Sequence, residues 1–126
     1  MSIKLKYQEV LDLGQKLEVK DGYVEESEVL LKIGGTAKTQ YEKNLMWDKI
    51  KQIGGENPTD IEADIKVEDV SVYHRHVVQK GETLGKIAKH YYKDAMKYKE
   101  IFAANTDKLK SADLIYPDQE LVIPNL

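Results

Sequence analysis

The chain has 126 residues, 41% of them hydrophobic and 33% charged, with a net charge of −3, which fits one ordinary domain or two very small ones. Lysines and carboxylates are interspersed, leaving no basic stripe for nucleic acid, and without cysteine there are neither disulfides nor thiolate metal sites. No run approaches the roughly 20 apolar residues that cross a bilayer, and the opening MSIKLKYQEV lacks the apolar centre of a signal peptide; the expectation is a cytoplasmic monomer without membrane or nucleic-acid partners.

Tyr7, Val10, Leu11, Gly14 and Leu17 recur at helical spacing and predict a helix over Tyr7 to Leu17, stopped by Asp21-Gly22. Two strands follow, Tyr23 to Glu26 and Val29 to Ile33, joined around Ser27-Glu28, with Gly34-Gly35 either ending the second or allowing a bulge. Thr36 or Thr39 then caps a helix running to about Ile53, with Leu45, Met46, Trp47, Ile50 and Ile53 as its apolar face. Gly54-Gly55 terminates that helix, and Asn57-Pro58 turns the chain. Ile61, Ala63, Ile65 and Val67 alternate with Asp60, Glu62, Asp64, Lys66 and Glu68, the pattern of a strand with one buried and one solvated face. The first domain, residues 1–70, therefore reads α-β-β-α-β.

Glu68 to Tyr73 reads as a junction, and a second domain occupies 74–126. A strand over His74 to Gln79 leads to Thr83, which caps a helix burying Leu84, Ile87, Ala88 and Tyr91. A second helix puts Tyr98, Ile101, Phe102 and Asn105 on one face, with Phe102 in the core; Leu121 and Ile123 make a last strand that Pro124 stops. This β-α-α-β unit and the one before it give an α+β chain.

Several segments match a known pattern. His76-Val77-Val78-Gln79-Lys80-Gly81-Glu82-Thr83-Leu84 opens the stretch, and Ile87-Ala88 and Ile101-Phe102-Ala103-Ala104-Asn105 lie in its helices. Leu114-Ile115-Tyr116-Pro117-Asp118-Gln119-Glu120-Leu121-Val122-Ile123-Pro124 closes it. On these residues His76 to Pro124 resembles the LysM family, with Glu82 where the family has Asp and Asp118 where it has Gly. The order of the first domain and Val29-Leu30-Leu31-Lys32-Ile33-Gly34-Gly35-Thr36-Ala37-Lys38-Thr39 resemble BON domains.

A BON-like unit followed by LysM is similar to a family of bacterial potassium-binding proteins. The resemblance implies potassium as the ligand, no organic cofactor, and an ion that favours docking of the two units. Ile53, Gly54 and Gly55, in a helix end followed by Glu56-Asn57, are the candidate ion contacts. Carbonyls gather there at the negative end of the helix dipole and suit a weakly hydrated monovalent ion, although an ordinary glycine cap has the same sequence.

Two other readings stand beside it. LysM modules that hold N-acetylglucosamine polymers such as peptidoglycan use a groove between two loops. Its matching positions are Gly81, Glu82, Thr83 and Leu84 with Ile115, Tyr116 and Pro117, Leu84 and Tyr116 covering the sugar. A LysM module can also serve as a docking adaptor in a protein assembly. His74 and His76 share a strand face, a spacing that can bind zinc, but no third ligand is visible and His76 fills the family's aromatic slot. The acidic alternation from Asp60 to Glu68 reads as a solvated face, because carboxylate clusters favour divalent ions. No cysteine nucleophile, Gly-x-Ser-x-Gly turn or phosphate loop is present, so the reading is a binding protein and not an enzyme.

Overall fold

The structure, a computed structural model, describes residues 2–126. They divide into two compact units, one ending at Val70 and the other spanning Ser71–Leu126. The fold is α+β.

In the first unit Ser2 caps α1 (Ile3–Lys6) by accepting from the Leu5 amide. Tyr7 interrupts the helix, and α2 (Gln8–Lys16) continues it. The helical segment thus begins before Tyr7. Its end, with Leu17 as the C-cap, falls where expected, but the stop is Glu18, which takes a φ of 55°, and not Asp21-Gly22. Asp21 and Gly22 lie instead inside β1 (Lys20–Glu26).

Strand β1 pairs antiparallel with β2 (Leu31–Thr39). The turn between them is closed by Ser27, whose N–H donates to the Leu30 carbonyl at 2.9 Å. Val29 therefore sits exposed in the turn and does not start the strand. Tyr23 faces Gly34, but Lys20 faces Thr36, so Asp21 and Gly22 together oppose Gly35. This is a β-bulge on β1. A Cβ on Gly35 would stand 2.5 Å from Val19 Cγ1, and one on Gly34 would stand 2.6 Å from the Tyr23 ring. The glycine pair does not end β2; it lets the strand pass beneath a bulge and an aromatic ring.

Of the two candidate caps, Thr39 is the one used: its hydroxyl accepts from the Glu42 amide at 3.3 Å at the start of α3 (Gln40–Gly54). This helix is the crossover that parallel pairing of β2 with β3 (Ile61–Asp69) requires. Strand order is β1-β2-β3. The core joins Leu31, Ile33, Ala37, Ile61 and Ile65 from the strands to Tyr7, Val10, Met46 and Ile50 from the helices, with Trp47 and Ile53 at its margin. Lys32, Lys38, Glu62, Asp64, Lys66 and Glu68 point to solvent.

In the second unit β4 (His74–Val77) pairs antiparallel with β5 (Glu120–Ile123), His76 opposite Leu121. Between them lie α4 (Leu84–Tyr92), a single 3-10 turn over Ala95–Lys97, and α5 (Tyr98–Ala104). Val78, Leu84, Ile87, Ala88, Tyr91, Ile101, Leu121 and Ile123 are buried. Phe102, expected in this core, is only half-buried. In a helix as short as α5 one residue per turn points inward; Ile101 takes that place and Phe102 lies about 100° around the axis.

Candidate functional site

Two loops meet at the end of the β4–β5 pair. Val78 donates to the Gln119 carbonyl and accepts from the Asp118 amide, both at 2.8 Å, extending the ladder by one residue. Tyr116-Pro117-Asp118-Gln119 closes a turn, with the Gln119 amide on the Tyr116 carbonyl at 3.2 Å. Asp118 has a φ of 72°. Proline followed by a positive-φ residue is the type II pattern, and aspartate tolerates the place where glycine is usual.

The first loop is tied by Glu82. Its Oε1 accepts from the Gln79 amide at 2.6 Å and meets His76 Nε2 at 2.8 Å. Burial pushes this carboxyl up, but the bonds from His76 and Gln79 outweigh it and hold it below the ordinary glutamate value. A carboxylate only accepts, so neutral His76 carries its proton on Nε2; Nδ1 then accepts from the Tyr91 hydroxyl at 2.7 Å. Both ring nitrogens are engaged within the fold, which leaves none for zinc. Among the described residues no group of three or more His, Asp or Glu is placed to hold a metal.

Of the groove candidates, Gly81 turns the chain at a φ of 87°, and Thr83 caps α4 through the Lys86 amide at 3.1 Å. Leu84 is 2% exposed and belongs to the core, so it cannot cover a sugar. Ile115 is half-buried and Pro117 exposed. Tyr116 is 58% exposed and is the aromatic face these loops present to solvent. Glu82 and Tyr116 spend their amides inside the loops, on the Gln79 carbonyl and on Gln119 Oε1.

In the first unit Ile53 and Gly54 end α3, and Gly55, at a φ of 88°, returns its amide to the Lys51 carbonyl at 2.8 Å. Among the described residues the carbonyls of Gln52, Ile53 and Gly54 accept no hydrogen bond. Tyr7 packs its hydroxyl against Gly54, leaving no room for a Cβ there. That hydroxyl donates to Asp60 Oδ1 at 2.6 Å, and Lys6 Nζ reaches Asp60 Oδ2 at 2.6 Å. The Lys6 bond, then the Tyr7 bond, holds Asp60 below its usual value. Burial, then Asp60, pushes Tyr7 up to about 12. Sequence reasoning missed this triad. Its one signal is a tyrosine on the apolar face of a helix, whose buried hydroxyl needs a partner somewhere in the chain.

Residues 76–124 match the family model of the LysM domain. The second unit contains a LysM domain. Over 49 residues, 39% of this chain, it is 49% identical to the potassium binding protein Kbp of Escherichia coli. Over a stretch of the same length it is 47% identical to an uncharacterized protein of Deinococcus radiodurans. These matches span 33% and 19% of the two relatives. No helix among the described residues is long and apolar enough to cross a membrane.

Proposed function

We propose that this chain is a non-enzymatic binding protein whose ligand is potassium, with a BON-like first unit and a LysM second unit. The observation that carries the reading is the 49% identity of the LysM stretch to a protein named for potassium binding. The end of α3 supports it with three successive carbonyls that accept no hydrogen bond among the described residues, at the pole of the helix that attracts cations. Carbonyl oxygens replace the hydration shell of potassium at modest energetic cost, whereas the nearby Asp60 is already engaged by Lys6 and Tyr7. Titration of carbon-13-labelled protein tests the site directly. Potassium chloride should shift the carbonyl resonances of Gln52, Ile53 and Gly54 to saturation, and sodium chloride at equal ionic strength should not. Equal, unsaturated shifts in the two salts would leave the helix end as an ordinary glycine cap.

The exposed Tyr116, next to Pro117 in the loop before β5, favours a second reading, recognition of an N-acetylglucosamine polymer by the LysM domain. Chitin oligomers would then perturb Tyr116 and its neighbours while leaving the end of α3 unchanged.

A further inference from the structure

The first unit contains a cleft that neither reading uses. It lies between α2 and the β1–β2 hairpin and has a volume of about 430 Å³, inside the range of roughly 300 to 1,000 Å³ of small-molecule sites. Its floor is apolar, made by Val10, Leu11, Ile33, Met46 and Ile65. Gly14 on the helix and Gly22 on β1 line it without side chains of their own, and the Tyr23 ring, also in its wall, lies over Gly34. Val24 shows the consequence. It pairs with Ile33 in the ladder and so shares its face of the sheet, yet Ile33 is 3% exposed and Val24 44%. The core stops short of β1.

The polar rim is uneven. Lys4 and Asp12 are its charged side chains. Asp12 already accepts from the Gln8 amide group at 3.0 Å. The Lys4 ammonium has no hydrogen bond or ion pair among the described residues, since the contact of Lys4 with Glu26 is made by its backbone N–H. A cleft with an apolar floor and an unengaged lysine among its lining residues matches a ligand with a hydrocarbon body and one anionic head.

We propose that this cleft binds a medium-chain carboxylate, its chain on Ile33, Met46 and Ile65 and its head group at Lys4. The test uses the full chain, labelled with nitrogen-15, and submicellar decanoate as the probe. Decanoate should move the amides of Val10, Gly14, Val24 and Met46 saturably, and decyltrimethylammonium, with the same chain and a cationic head, should not. Lys4→Glu should weaken decanoate about tenfold, the scale of one lost charge-assisted contact, and leave decanol binding as it was. Val24→Trp should fill the slot and abolish binding; Val24 is largely exposed, so the fold should survive, as an unchanged circular dichroism spectrum would verify. Equal binding of the cationic amphiphile, shifts scattered over both units, or no saturable shift with decanoate would each overturn the assignment.

Discussion

Asn105 is 1% exposed, and its side chain works as a short piece of strand. Its Nδ2 donates to the Ile101 carbonyl at 2.7 Å and to the Val122 carbonyl at 2.8 Å, and its Oδ1 accepts from the Val122 amide at 2.8 Å. One residue thereby ends α5, satisfies the edge of β5 and fixes the distance between them. The amide orientation follows from the pattern, because a flipped group would set its NH₂ against the Val122 N–H. Asn105→Ala should destabilise the second unit by about 2 to 4 kcal/mol. Buried donors and acceptors left unmade cost about 1 to 3 kcal/mol each, and Val122, being half-buried, recovers part of the loss from water. Urea unfolding followed by circular dichroism measures it. A loss below about 0.5 kcal/mol would mean that water replaces the side chain at no penalty. The sequence places Asn105 at the end of a helix but does not tell that its partner is a strand seventeen residues on.

At the scale of the element, the end of α3 depends on the absence of a side chain at Gly54. A Cβ there would collide with the Tyr7 hydroxyl and stand 3.0 Å from Pro58 Cβ. Gly54→Ala should therefore cost more than about 2 kcal/mol, against the gain that the same change gives in an unobstructed helix. Tyr7→Phe removes the colliding oxygen together with its bond to Asp60, and by itself should cost about 1 to 3 kcal/mol. Combined, the two changes should cost less than their sum by at least about 1 kcal/mol, because the clash and the hydroxyl are the same atom. Simple additivity in thermal or urea unfolding would show that Tyr7 swings clear of Gly54 and does not define the helix end.

The same elements show what is legible in a sequence of this kind. The alternation over β3 reads correctly onto the structure, Ile61 and Ile65 buried and Glu62, Asp64 and Lys66 exposed. The spacing of Met46 and Ile50 likewise gives the buried line of α3. Gly34-Gly35 leaves two readings open, because a glycine pair that ends a strand looks the same as one lying under a ring and a bulge, and the structure takes the second. What decides is Tyr23 and Val19 across the hairpin. The LysM pattern locates both loops of the candidate groove, yet it counts Leu84 as a contact when that residue is core. Motif positions record what a family keeps, and a family keeps residues for folding as well as for binding.

For the whole chain the deciding measurement is its melting temperature in two salts. A ligand that binds only the folded state stabilises it by mass action, about 2.7 kcal/mol at roughly a hundred times Kd. At a net charge of −3 any salt relieves some self-repulsion, and such screening depends on ionic strength and not on which alkali ion is present. Potassium and sodium chlorides at matched ionic strength therefore separate binding from screening. The expected outcome is a higher melting temperature in potassium, by several degrees if Kd lies well below the concentration used, since about 1 kcal/mol moves the midpoint of a domain this size by roughly 2 to 8 °C. The difference should saturate with potassium concentration, which screening does not do at a fixed ionic strength. Small-angle scattering adds a second readout. A ligand shifts a conformational equilibrium only by its differential affinity for the two states. A smaller radius of gyration in potassium than in sodium would then mean that the ion also draws the two units together. Matching melting curves and radii in the two salts would remove potassium as the ligand and leave glycan recognition as the LysM domain's reading to pursue, with chitin oligomers as the next titrant.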